Sequence, residues 1–198
     1  DSDYLNKSLA DSTLENVNIY DCTNQWGVFS IAGPNSRNFL KKIVVSEDPD
    51  RTLSNKEFPW LSYRDIEIGM CPVRALRVAY TGELGWELHH PIEMQNYLLD
   101  ILLSSGKEFN LKLVGARAQN WLRQEKSYKA FGSDLGRDAG PFESKLSRFV
   151  DINKNFLGKD ALLKRKTDVS CVTLLIDGPK DIDPWGREAL YNESENIM

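Results

Sequence analysis

Between residues 26 and 91 the chain switches repeatedly between dense apolar runs and strict alternation, the two signatures of strand structure. QWGVFSIAG is apolar enough for a buried strand, and Gly33-Pro34 closes it. Pro34 suits the first turn of a helix whose apolar stripe is Phe39, Leu40 and Ile43. After the turn-rich connection SEDPDRTLSNKEFP, SYRDIEIG alternates with period two, the chain turns at Gly69 to Pro72, and PVRALRVAY returns as a more buried strand. YTGELG is turn chemistry, and WELHH resumes as the next strand.

The period then lengthens. IEMQNYLLDILLSSGKEF carries Tyr97, Leu98, Ile101 and Leu102 at helical spacing, LKLVG reads as a short strand, and GARAQNWLRQEKSYKA as a second helix ending before Gly132. The order predicts an α+β fold, a ferredoxin-like antiparallel sheet with helices on one face. Beyond Gly140-Pro141 the pattern changes: FLGKDALLKRK is a basic amphipathic helix, VSCVTLLID an apolar strand, and DIDPWGREALYN a turn-and-strand unit. These last elements predict the start of a small β domain. The expected division is a polar, weakly helical extension at 1–25, a main domain at 26–168 and the opening of the β domain at 169–198.

A chain of 198 residues with 41% hydrophobic and 27% charged positions can build a sizeable core. A formal net charge of -4 speaks against a nucleic-acid partner, and no apolar run approaches the length that spans a bilayer. Cys22, Cys71 and Cys171 are widely spaced and odd in number, which predicts reduced thiols and a reducing compartment, the cytosol or a mitochondrial matrix. No GxGxxG follows a strand, no glycine-lysine phosphate loop exists, and no nucleophile elbow is present. His89 and His90 are too few for a metal site.

Candidate chemistry concentrates in the hairpin YTGELGWELHH. Glu83 sits at its tip, where a carboxylate ordinarily faces water. Glu87 alternates with Trp86 and Leu88, which must bury one side, so Glu87 and His89 share the other, with Ala79 or Tyr80 expected across from the pair. That face is either solvated or, under another lobe, a place where a desolvated carboxylate needs donors. In LRQEKSYKAFGSDL, Trp121 and Leu122 are expected to pack inward, leaving Arg123 and Glu125 as a surface ion pair.

The ordered segments WGVFSIAGPNSRNFL, PVRALRVAYTGELGWELHHP, NWLRQEKSYKAFGSDLGRDAGPFESKL and NFLGKDALL together resemble the folate-binding family of the glycine-cleavage aminomethyltransferase. The nearest likeness is to the C-terminal half of dimethylglycine and sarcosine dehydrogenases, and it runs from Trp26 onward. The resemblance implies part of a three-lobed fold with tetrahydrofolate in a central funnel. It places a pterin-binding tyrosine at Tyr80 and a glutamate at Glu87, with Leu88 and His89 on the same wall. Arg148 stands where the dehydrogenases have a folate-contacting tyrosine, and the resemblance suggests it for the folate's anionic tail. Where the aminomethyltransferases carry an arginine on the helix before LRxE, this chain has Gln119, with Arg117 two residues away. The family's aspartate near the reactive nitrogen belongs to a segment ahead of Asp1, so no catalytic residue is named.

The function implied is capture of the carbon of an N-methylglycine-type donor as methylenetetrahydrofolate. The alternatives are a stand-alone aminomethyltransferase or folate-dependent demethylase, and a non-catalytic regulatory relative of dimethylglycine dehydrogenase. The implied partners are folate and a methylated amine. Flavin is expected only if an upstream domain supplies it. The chain is expected to be a piece of the family fold, inactive alone and self-associating through open sheet edges.

Overall fold

The computed structural model describes residues 2–136, 139–165, 169–179, 182, 184, 186, 188–191 and 194. The chain opens with helix α1 (Ser2–Ala10), none of whose residues is buried. It is shorter than the polar stretch DSDYLNKSLADSTLENVNI allowed. Strand β1 (Trp26–Ala32) follows, then α2 (Ser36–Ile43), the single turn α3 (Pro49–Thr52), and strands β2 (Tyr63–Ile68), β3 (Cys71–Leu76) and β4 (Gly85–Pro91). Helix α4 (Gln95–Gly106) lies between 3₁₀ turns at Ile92–Met94 and Lys107–Phe109, and α5 (Ala116–Glu125) and α6 (Lys159–Lys164) complete the helices.

The strands form one antiparallel sheet in the order β1-β4-β3-β2. The chain leaves β1 at one edge, crosses through α2 and α3 to the other, and returns by two hairpins until β4 lies beside β1. Period-two alternation gives the sheet two unlike faces. Ile31, Ile66, Ile68, Val73, Ala75, Trp86 and Leu88 point to one face, where they pack with Phe39 and Leu40 of α2 and Leu98 and Leu102 of α4. Leu53 and Phe58, from the connection between α3 and β2, complete that core without exposure. The opposite face carries Trp26, Val28, Asp65, Arg74, Glu87 and His89, and among the described residues no helix packs on it in the core cluster.

The α+β class with an antiparallel sheet is as the sequence predicts, with three corrections. A ferredoxin-like order would set a further strand outside β1; among the described residues that edge is unpaired, because LKLVG forms no strand. Asn110 turns the chain in a left-handed conformation, Leu111 tucks against Gly106, and Leu113 and Val114 are left exposed without a neighbouring strand. VSCVTLLID likewise has no strand over 169–177, and its Leu174, Leu175 and Ile176 are exposed. A strand exists only through the ladder it makes, and apolar content alone supplies no partner. Lastly, β1 is buried on one face only: Val28 is 49% exposed and Trp26 43%. Of DIDPWGREALYN, Asp181, Asp183, Trp185, Arg187 and Asn192 lie outside the described residues.

Residues 1–129 and 130–198 form two compact units. Within the second, the buried Glu143 receives a 2.6 Å bond from Nε of Arg165, and its carbonyl accepts from the Cys171 N–H. A hydrogen bond from its own backbone N–H, joined by the Arg165 guanidinium, holds the Glu143 carboxyl below its ordinary range.

Candidate functional site

The β3–β4 connection is built around two glycines. Gly82 adopts φ +70°, and a Cβ there would run into the Lys126 side chain. A Cβ on Gly85 would sit 2.6 Å from the Ile31 carbonyl and 2.8 Å from the Ala79 methyl. This close approach lets the tip dock on the turn after β1. Gly33 N–H donates to the Leu84 carbonyl at 2.8 Å, and the buried Ser36 hydroxyl donates to the same carbonyl at 2.9 Å. The segments GPNS and YTGELG, distant in sequence, therefore hold one another.

Glu87 stands on the open face between Ser30 of β1 and Leu76 of β3. Leu76, not Ala79 or Tyr80, lies across from it, because the β3 ladder ends at that residue. Its side chain is about a third exposed (34%), and its Oε2 lies 3.3 Å from Nε2 of His89. His89 faces Val28 and Arg74 across the neighbouring strands. Arg74 is bound to Asp65 through two contacts, at 2.8 and 3.2 Å, and this bond lowers the Asp65 carboxyl from its ordinary range. Asp65, Arg74, His89 and Glu87 thus make a polar band across three strands.

Tyr80 stands in the connection, 38% exposed. Its hydroxyl donates to the Lys129 carbonyl at 2.9 Å, and its ring stacks on Tyr128 with centroids 6.3 Å apart. Glu83 at the tip lies 3.8 Å from Nζ of Lys126, a surface pair. Leu88 points away from Glu87 and His89 and is fully buried in the core. Arg148 belongs to the second unit, exposed on the 3₁₀ turn Ser147–Phe149 with its guanidinium 4.7 Å over the Phe149 ring. Gln119 and Arg117 are both exposed on α5.

A groove of about 420 Å³ also opens on this face, lined by Trp26, Val45, Asp65, Glu67, Pro72, Arg74 and Pro91 among others, and it includes neither Tyr80 nor Glu87. Its origin is local. The β3–β4 register stops at Arg74↔His89, and two residues further along each strand Pro72 and Pro91 fall opposite each other. Neither has an N–H to continue the ladder, so the strands part there.

The expectation for Arg123 is corrected. It is 2% exposed, not a surface cation. Its Nε and Nη2 donate to Asn120 Oδ1 at 2.8 and 2.6 Å, and Nη1 donates to the Tyr128 carbonyl at 2.8 Å. Asn three residues earlier on the same helix face was the available signal. Among the described residues no cluster of His, Cys, Asp and Glu could hold a metal. What the open face offers is a carboxylate acceptor with a neighbouring imidazole, and beyond the β3 ladder a stacked tyrosine pair.

The profile of the GCVT N-terminal domain matches residues 1–154. The chain belongs to this family. As a GCVT N-terminal domain it is similar to dimethylglycine dehydrogenase, mitochondrial, of Mus musculus: 39% identical over 188 residues, 91% of this chain and 21% of that protein. It is 33% identical over 159 residues to an aminomethyltransferase of Caldanaerobacter subterraneus subsp. tengcongensis, covering 80% of this chain and 41% of that protein. It is 29% identical over 197 residues to sarcosine dehydrogenase, mitochondrial, of Mus musculus, covering 98% of this chain and 21% of the relative. This GCVT N-terminal domain therefore spans about a fifth of the dehydrogenases it resembles.

Proposed function

We propose that this chain is the tetrahydrofolate-binding part of a one-carbon transfer enzyme, taking up the carbon of an N-methylglycine-type donor as methylenetetrahydrofolate. The observation that carries the reading is Glu87: a carboxylate on the open face of a four-stranded sheet, with the His89 imidazole beside it at 3.3 Å. A pterin presents a ring N–H and an exocyclic amine side by side. A carboxylate is the side chain that accepts both, and such charge-assisted pairs strengthen as water is excluded. Tyr80 would supply an aromatic surface, His89 the adjoining wall, and Leu88 the core anchor that holds the strand. Arg148 is assigned to the folate's anionic tail, and the folate-binding region to residues 26–168.

When bound, tetrahydrofolate supplies the nucleophilic nitrogens N5 and N10, so the protein's share is orientation and proximity. Oxidation of the methylated amine requires a redox group, which we assign to a flavin domain elsewhere in a longer protein. If the source is eukaryotic we place the chain in the mitochondrial matrix; the names of the dehydrogenase relatives support a mitochondrial location.

The test compares Glu87→Ala with Glu83→Ala in the full-length protein by isothermal titration with a reduced folate. Glu87→Ala should lose about 1.5–3 kcal/mol for each charge-assisted hydrogen bond removed. Glu83→Ala should bind nearly as the parent does, since its carboxylate is engaged with Lys126 at the surface. Equal losses in the two variants refute the assignment.

A further inference from the structure

We infer that Arg123 is a positioning residue that sets the orientation of Tyr80 through the end of helix α5. The inference rests on the folate reading above only for what Tyr80 touches; the coupling itself stands on geometry within residues 80–129.

Helix α5 ends in a two-bond cap. The Tyr128 N–H reaches back to the Arg123 carbonyl at 2.9 Å, and the Ser127 N–H to the Gln124 carbonyl at 2.8 Å, with Ser127 left-handed at φ +58°. This is the Schellman arrangement, here with serine at the position where glycine is usual. Arg123 reinforces it from the side-chain end. Asn120 Oδ1 accepts two of its N–H groups, which aims Nη1 at the Tyr128 carbonyl. Tyr128 is thus held at both its N–H and its C=O by one residue. Its ring stacks on Tyr80, and the next carbonyl, Lys129, accepts the Tyr80 hydroxyl. Lys126 of the same segment covers Gly82, two residues beyond Tyr80. Among the described residues the Tyr80 ring meets Tyr128 and its hydroxyl meets Lys129, and Arg123 clamps the former.

The planar fork is what the geometry needs. A lysine keeps the charge but cannot hold Asn120 and the Tyr128 carbonyl in one rigid plane. In the full-length protein labelled with 3-fluorotyrosine, the Tyr80 signal, assigned by its loss in Tyr80→Phe, should move toward the free amino acid in Arg123→Lys. The Tyr63 signal, from the exposed ring on β2, should stay in place. Asn120→Ala, an exposed helix substitution that removes the guanidinium's guide, should shift Tyr80 in the same direction and serves if Arg123→Lys does not fold. By titration, Arg123→Lys should weaken reduced-folate binding by tenfold or more in a Tyr80 background and by less than twofold in a Tyr80→Ala background. A stationary Tyr80 signal in both variants overturns the inference whatever the folate does, as does a shift of Tyr80 and Tyr63 together. If the parent protein binds no reduced folate, the folate reading fails, and the inference is judged on the Tyr80 signal alone.

Discussion

At the scale of single residues, environment separates chemically identical groups. Cys71 is fully buried at the start of β3, and burial pushes its thiol above the ordinary value, whereas Cys22 is exposed. Alkylation at neutral pH, followed by mass spectrometry, should modify Cys22 quickly and Cys71 only after denaturant is added. Asp65 shows the opposite sign. Its hydrogen bond from Arg74 lowers the folded-state carboxyl, so the stability it contributes is fully present above the unfolded value, about 3.9. That contribution is lost as pH falls through the lowered folded value. Asp65→Asn should therefore flatten the fall in melting temperature below about pH 4, the range where an unfolded aspartate takes up its proton. An unchanged slope would show the pair to be silent.

At the scale of elements, the turns were the most legible part of the chain and the isolated strands the least. The two glycines of TGELG were readable as turn chemistry, and the structure adds what each avoids: a left-handed backbone under Lys126 at Gly82, and the Ile31 carbonyl at Gly85. Gly82→Ala should destabilise the protein by about 1–3 kcal/mol, from the left-handed penalty plus contact with Lys126, read as a lower urea midpoint at unchanged slope. Leu61 carries the same left-handed strain at an exposed site. It is left-handed at φ +62° and 65% exposed, so Leu61→Gly should raise stability by up to about 1 kcal/mol. LKLVG and VSCVTLLID had strand composition but no strand, because the hydrogen bonds that make a strand lie on another segment. Arg123 was misplaced for a related reason: Asn120 is only one helical turn away, but the Tyr128 carbonyl becomes its neighbour only once the helix ends in its cap.

At the scale of the whole molecule, the sheet of the first unit is open: among the described residues β1 is an unpaired edge, β2 is bridged at Val44 and Val45, and the face bearing Glu87 is outside the core cluster. Unpaired edge strands invite pairing with another chain. Sedimentation velocity over a concentration series should show self-association that Val28→Lys, a charge on the half-exposed position of edge strand β1, reduces. A parent chain that stays monomeric throughout would refute this. The amino-acid order alone determined the antiparallel α+β class, the strands β1 to β4, helix α4 and the pairing of Glu87 with His89 on one face, since all of these follow from local period and turn chemistry. Only the tertiary structure decided that Leu76 lies opposite Glu87, that Tyr80 hangs from the loop after α5, that two prolines part β3 from β4, and that Arg123 is buried. Each of those depends on which segment arrives alongside: Lys129 lies 49 residues beyond Tyr80, the β3–β4 register decides what faces Glu87 and Pro91, and Tyr128 reaches Arg123 only when the helix stops, none of which a local pattern encodes.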